Sequence, residues 1–275
     1  MKILATLLLV QVYLVAANPL LRIAGGRDAT PGQFPYQVAI QYGIPPVVKP
    51  KTTCGGSIIN KEWILTSATC IILLPSNVGK VEVKAGKHEN EKDSEYVQTR
   101  EILLRLVHKE YKTIIKQIRS YDIGLLKLKS PLVFNDRVQP INLPKAYTKP
   151  SGLATLTGWG WTSTGLIPKI PKVLQVAKVS IISRSNCEDA IRTIQPTESI
   201  NDLQFCSGPL DKSISACVAD SGDPLVQINK SNNKSIQIGI ASWADYPCGA
   251  TGAPTVYTLV SAFVYWINER INENS

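Results

Sequence analysis

Apolar and polar residues along this chain fall into many short runs. Positions 37–41, 81–85, 124–128, 154–157, 225–228 and 236–240 are apolar or alternating stretches with turn residues close by. Runs of that length predict strands, and a chain made mostly of them predicts an all-β sandwich or barrel. Two stretches break the pattern. Ser185 and Glu188 form a capping box ahead of 189–194, and Val260, Phe263, Val264, Ile267 and Ile271 fall at helical spacing near the C-terminus. At the other end, Met1 and Lys2 lead into residues 3–17, apolar apart from Thr6, Gln11 and Tyr13, with Val15 and Ala17 placed for a signal peptidase. This predicts a secretory signal at 1–17. It is too short to span a bilayer comfortably, and no later stretch approaches twenty uninterrupted apolar residues, so the expectation is an exported, soluble protein with no membrane anchor.

Composition narrows the class. The 275 residues are 44% hydrophobic, with 18 Gly and 18 Pro, which suits one large domain or two small halves and excludes a disordered or fibrous chain. Six cysteines, at 54, 70, 187, 206, 217 and 248, point in an exported chain to disulfides. No pair has the C-x-x-C spacing zinc favours, and six cysteines allow fifteen pairings among which arithmetic does not choose. The formal charge is +9 and uneven: residues 23–150 hold 19 basic and 11 acidic side chains, residues 151–275 hold 9 and 10. The asymmetry fits either a surface that meets an anionic partner or a solvated basic face. Repeats, low-complexity tracts, nucleic-acid motifs, metal-ligand spacing and a phosphate loop are all missing from the sequence, and no cofactor or metal is required by it.

The chemistry sits in a series of blocks. Arg22 precedes Ile23-Ala24-Gly25-Gly26. Then come Cys54-Gly55-Gly56-Ser57, Thr66-Ser67-Ala68-Thr69-Cys70, Tyr121-Asp122-Ile123-Gly124, Gly158-Trp159-Gly160, Cys217-Val218-Ala219-Asp220-Ser221-Gly222-Asp223-Pro224, Ser242-Trp243-Ala244 and Pro254-Thr255-Val256-Tyr257. In order and spacing they resemble the chymotrypsin/trypsin-like serine proteases from Ile23 to the end, and most of all the arthropod members. That resemblance implies two packed antiparallel six-stranded β-barrels with a C-terminal α-helix and an active-site cleft between the barrels. It also implies the pairings Cys54–Cys70, Cys187–Cys206 and Cys217–Cys248, each worth about 3 kcal/mol against the unfolded chain. It further implies a short propeptide, 18–22, lost on cleavage after Arg22, with the freed amine of Ile23 pairing with Asp220, and a protease-like domain over 23–275.

The resemblance also locates departures. The family carries Ala-Ala-His-Cys where this chain has Ser67-Ala68-Thr69-Cys70, so Thr69 replaces the catalytic histidine while Asp122 and Ser221 match the other triad positions. A serine hydroxyl attacks poorly until a base takes its proton, and a threonine hydroxyl is no base near pH 7. Loss of the histidine from a serine triad costs roughly 10⁶ in turnover, on the order of 8 kcal/mol. His88 and His108 match blocks where relatives commonly hold a non-catalytic histidine. Ala219 stands where the family has a glycine whose N–H, with that of Ser221, forms the oxyanion hole. Ser215 at the base of the specificity pocket offers no acid to Lys or Arg, while Ala244 and Thr255 replace wall glycines and narrow it.

These features predict a non-catalytic serine protease homologue that works by binding a protein partner, such as a protease, its substrate or an inhibitor. The resemblance to arthropod members implies a cofactor, decoy or regulator of a proteolytic cascade, or a component of haemolymph, saliva or venom. The alternative is a weak or unusual endopeptidase of chymotrypsin-like specificity, its missing base supplied by a substrate histidine or a water. Lys109, Lys112, Lys116 and Arg119, interleaved with Ile114, Ile115 and Ile118, form a candidate exosite for an acidic protein or a sulfated polysaccharide. Asn229-Lys230-Ser231 and Asn233-Lys234-Ser235 offer two acceptor sites for N-glycans. The acidic loop 87–95, interleaved with Lys87 and Lys92, leaves calcium binding open.

Overall fold

The computed structural model describes residues 26–111, 120–162, 169–208, 210, 214–245, 248 and 252–275. After a short strand β1 (Arg27–Asp28), the chain lays down β2 (Gln37–Ile44), β3 (Val48–Ile58), β4 (Trp63–Thr66), β5 (Lys80–Ala85), β6 (Gln98–Val107) and β7 (Gly124–Leu128). These six close into an antiparallel barrel in the order β2-β3-β4-β7-β6-β5. Closure leaves no free sheet edge, and the period-2 alternation of each strand sends one side-chain set inward. Val38, Ile40, Ile58, Ile64, Val83, Leu126 and Leu128 thus form the filling of this barrel.

The second half repeats the architecture. Strands β8 (Gly152–Gly158), β9 (Gln175–Ile181), β10 (Gln204–Gly208), β11 (Pro224–Ile228), β12 (Ser235–Ala244) and β13 (Thr255–Leu259) close in the order β8-β9-β10-β13-β12-β11. Strand β1 adds to β9, so the start of the chain joins the second barrel rather than the first. Leu156, Val179, Leu225, Ile238 and Tyr257 fill it. A third cluster joins Trp63, Leu65, Ile123 and Leu125 of the first half to Ile240, Val260, Phe263 and Ile267 of the second. Burying that apolar surface from both halves holds the barrels together. The implied two-barrel fold is therefore observed, and all six strands expected from the hydrophobic pattern lie within observed ones.

Three α-helices complete the described residues. Helix α1 (Ala68–Leu73) was not expected from the pattern; Ser67 caps it, its Oγ accepting the Cys70 N–H. Helix α2 (Arg184–Ile194) starts earlier than the capping box predicted. Ser183 is the N-cap, with extended backbone and an Oγ that accepts the Asn186 N–H at 3.2 Å. Glu188, expected to reach back to the cap, instead accepts from Arg184 Nε at 2.7 Å, an i,i+4 ion pair. Helix α3 (Val264–Glu273) follows a 3-10 turn at Val260–Ala262 and docks through Ile267. The disulfides are Cys54–Cys70, Cys187–Cys206 and Cys217–Cys248, as the resemblance implied. Among the described residues, no helix is long and apolar enough to cross a membrane.

Candidate functional site

The first turn of α1 brings Thr69 onto Asp122. The helix is fixed by its Ser67 cap and by the Cys54–Cys70 bond to β3, while Asp122 sits just before β7, after Tyr121 in a left-handed conformation (φ 58°). Asp122 is fully buried, and a buried carboxylate is tolerated only with several donors. It has them: Oδ1 accepts the Thr69 N–H at 2.7 Å, and Oδ2 accepts from Thr69 Oγ1 at 3.0 Å and from Ser242 Oγ at 2.6 Å. The Tyr111 hydroxyl lies 3.0 Å from Thr69 Oγ1. Ser242 and Tyr111 carry no motif that marked them as partners of the acid from sequence; only the fold brings them to it.

Ser221 lies in the turn that enters β11. Its carbonyl accepts the Gly55 N–H at 3.0 Å, and Gly222, at φ 89°, donates its own N–H to Ala241 O at 2.8 Å. A Cβ at Gly222 would meet Thr66 and the Gly55 carbonyl, so this turn admits only glycine there. The Ser221 side chain makes no hydrogen bond among the described residues, and it faces a cleft of about 300 Å³ shared with Thr69, Ser242, Leu73 and Trp243. Ser221 and the Thr69–Asp122 pair thus meet across one cleft. Among the described residues around it stand hydroxyls, the Asp245 side chain and, behind Thr69, the buried Asp122 carboxylate, with no imidazole.

Neither histidine lines this cleft. The His108 ring stacks on Tyr121 at 4.8 Å between centroids and packs against Phe263 and Trp266, and its Nδ1 accepts the Glu110 N–H at 3.2 Å. His88 contributes its carbonyl to Trp159 Nε1 and Leu174 N–H. Burial lowers both pKa values below the usual histidine range. The His108 imidazole is held by its aromatic neighbours, and neither ring reaches Ser221 through the cleft lining.

Ala219 holds φ 75°. For a residue with a Cβ this left-handed backbone costs roughly 1–2 kcal/mol, and the turn imposes it where glycine would carry no strain. Ala216 and Ala244 line the cleft beside it. Ser215 and Thr255 are buried, Thr255 Oγ1 accepts the Ala216 N–H at 3.0 Å, and Ala244 pairs with Thr255 across β12 and β13. Asp245, at the end of that wall, lines the same cleft.

Behind Ser221 lie two buried carboxyls. Asp220 accepts from Gly160 N–H at 2.7 Å and Cys217 N–H at 2.8 Å. Asp223 accepts from Gln37 Nε2 through Oδ1, and its Oδ2 has no hydrogen-bond partner. Gly55, Gly158 and Gly160 surround the pair with no room for a Cβ. Burial pushes Asp220 up to about 6, and burial plus the neighbouring Asp220 charge pushes Asp223 well above the ordinary carboxylate range. The sequence gives no sign that the Asp223 side chain lands beside Asp220.

In the loop considered for calcium, Lys87 is buried, with Nζ 2.6 Å from Asp93 Oδ1 and 3.2 Å from the Lys92 carbonyl, while Lys84 also pairs with Asp93. Burial lowers the Lys87 pKa despite Asp93. An internal ammonium engages the acid there, and among the described residues no cluster of His, Cys, Asp or Glu suits a metal. Of the candidate exosite, Lys109 is exposed, while Lys112, Lys116 and Arg119 lie outside the described residues, as do Arg22 and Ile23. Asn229 and Asn233 lie at the tip between β11 and β12.

The protein-family model described as Trypsin matches residues 23–267. The chain belongs to the trypsin family. Among relatives of this trypsin-family chain, "Lectizyme" of Glossina austeni is 32% identical over 260 residues, 91% of this chain and 86% of that protein. "Coagulation factor IX" of Cavia porcellus is 36% identical over 250 residues, 89% of this chain and 80% of that protein. "Serine proteinase stubble" of Drosophila melanogaster is 32% identical over 263 residues, 93% of this chain but only 32% of that longer protein. The trypsin-family match starts at Ile23, directly after Arg22, and takes in every cleft residue described above.

Proposed function

We propose that this trypsin-family chain is a secreted pseudoprotease that acts by binding. The observation that carries the reading is the hydrogen bond from Thr69 Oγ1 to Asp122 Oδ2 at 3.0 Å: a neutral hydroxyl holds the carboxylate where an imidazole is needed to activate Ser221. Further support comes from the left-handed Ala219 and from Ser215, Ala244 and Thr255, none of which offers a charge to a basic side chain. The cleft offers a peptide an apolar rim at Leu73 and Val218 together with Ser221, whose hydroxyl engages no other side chain. The partner is a protein segment held there without being cut: part of a protease, of its substrate or of an inhibitor. Lys109 and the neighbouring basic positions offer a second contact for an acidic protein or a sulfated polysaccharide. Residues 3–17 and three disulfides support export.

The test is fluorophosphonate labelling of chain cleaved after Arg22, beside Thr69→His and Ser221→Ala. Wild type is expected to stay unlabelled and Thr69→His to label at Ser221. Labelling of wild type through Ser221 overturns the reading. Turnover confined to peptides with a histidine near the scissile bond identifies the alternative, in which the substrate supplies the base.

A further inference from the structure

Beside the hairpin joining β11 to β12 runs a groove of about 310 Å³. Ile228, Ile236 and Ile238 form its apolar side, Pro144 and Lys149 face them, and Asn229 stands in its wall. Ile228 is 50% exposed, a large apolar side chain left to water. Both walls are fixed: Asn142 Nδ2 donates to Ser235 O at 3.0 Å, and Gln227 Nε2 donates to Ser151 O at 2.7 Å and Leu153 O at 3.0 Å. The groove is therefore a built feature of the second barrel, and no carboxylate lines it.

The two sequons at this tip are not equivalent. Asn229 Oδ1 accepts both the Ser231 N–H at 3.0 Å and the Ser231 hydroxyl at 2.8 Å, which brings the sequon's serine onto the asparagine side chain, while Nδ2 makes no hydrogen bond among the described residues. Asn233 serves the turn instead. It holds the left-handed position, φ 54°, and its N–H donates to Asn229 O at 2.8 Å. Its side chain makes no bond to Ser235, the residue that begins β12.

We propose that Asn229 is N-glycosylated, that Asn233 is not, and that the first sugars on Asn229 cover the groove. The inference rests on the secretory reading, because the sugar donor, a lipid-pyrophosphate oligosaccharide, is met only during export. Nδ2 of Asn229 attacks the anomeric carbon of that donor. A carbon–nitrogen bond forms, the bond from that carbon to the pyrophosphate oxygen breaks, the lipid pyrophosphate leaves with the electron pair, and Nδ2 gives up one proton. Once attached, an acetamido sugar lays its apolar face on Ile228 and Ile236, within reach of the Lys145 and Lys149 ammonium groups. Tyr147 and Tyr265, both exposed and 5.9 Å apart between ring centroids, extend the same face beyond Thr148.

The experiment secretes the full chain from a eukaryotic host and maps glycans by peptide mass before and after peptide:N-glycosidase. One glycan per chain is expected, lost in Asn229→Gln and in Ser231→Ala and kept in Asn233→Gln. Lys149 is expected to acylate with N-hydroxysuccinimide acetate several-fold more slowly in the glycosylated chain than after enzymatic removal. Chain recovered from the medium with a glycan on Asn233, or with none, overturns the site assignment and leaves export standing. Chain found unglycosylated in the cytosol overturns both. A glycan on Asn229 with unchanged Lys149 reactivity overturns the coverage of the groove.

Discussion

Replacing Asp223 with Asn puts the buried carboxyl pair to a quantitative test. Asp220 is raised to about 6 and Asp223 well above the ordinary carboxylate range, both first by burial. Near pH 5 the folded chain holds protons that the unfolded chain has already released. The stabilisation is therefore fully present below about pH 4 and is lost as pH rises toward and past 6, at about 1.4 kcal/mol per pH unit for each such proton. In Asp223→Asn the amide keeps an acceptor for Gln37 Nε2 and gives Asp220 a permanent donor, so one proton leaves the balance. Between pH 4 and pH 6 the variant should gain about 3 kcal/mol on wild type, or roughly 6–12 °C in Tm for a chain of this length. Thermal unfolding followed by circular dichroism at pH 4, 5, 6 and 7 reads this. The chain is kept uncleaved after Arg22, so that no new amine competes for the pair. Parallel stability curves for variant and wild type would refute the reasoning.

Three further outcomes follow from single features. Ala219→Gly should relieve the left-handed strain of about 1–2 kcal/mol, less about 0.4–1 kcal/mol of unfolded-state entropy, so its denaturant midpoint should rise slightly; a fall means the turn does not hold that conformation. Removing the Cys54–Cys70 bond by Cys54→Ala with Cys70→Ala opens a loop of sequence separation 16 and should cost about 3 kcal/mol, measured by urea unfolding. Because Lys87 already engages Asp93, millimolar calcium or a chelator should leave Tm unchanged, and a calcium-dependent rise in a differential scan would overturn that assignment.

The parts of this molecule legible in the sequence are those fixed by local rules. The short apolar run 124–128 specifies β7, a strand buried on both faces with Leu126 and Leu128 in the barrel and Leu125 between the halves, and the spacing of Phe263, Val264, Ile267 and Ile271 specifies a helix face. Helix α1 escaped notice because six residues carry too few turns for a period to show. Ser183 was passed over as a cap because Ser185 with Glu188 offers the same signature two residues later, and only the ion pair of Glu188 with Arg184 decides between them. In the cleft, the motif blocks named Thr69, Asp122, Ser221 and Ser242 but neither Tyr111 nor the bond of Ser242 to Asp122; Ser242 and Tyr111 lie 120 and 42 positions from the residues they bond. Asp223 shows the same limit. Its neighbours Gln37, Gly55 and Gly158 come from β2, β3 and β8, and no local pattern links those positions.

The cleft is complete in its own terms without an imidazole. Without the Thr69 hydroxyl, Asp122 Oδ2 would keep the Ser242 donor and lose one charge-assisted hydrogen bond, at a cost of about 1.5–3 kcal/mol. Thr69 supplies both a backbone N–H and a hydroxyl to that carboxylate, and Ser242 supplies another. A valine, nearly the same shape, would keep the packing but give up the hydroxyl. Thr69 thus contributes to holding the buried acid through its hydroxyl as well as its backbone. Ala219 is different, since it adds strain beside Ser221 without a compensating bond of its side chain. On the binding role proposed above, a cleft ordered around Asp122 and strained at Ala219 holds its shape without a base for acyl transfer, and shape is what a binding protein needs.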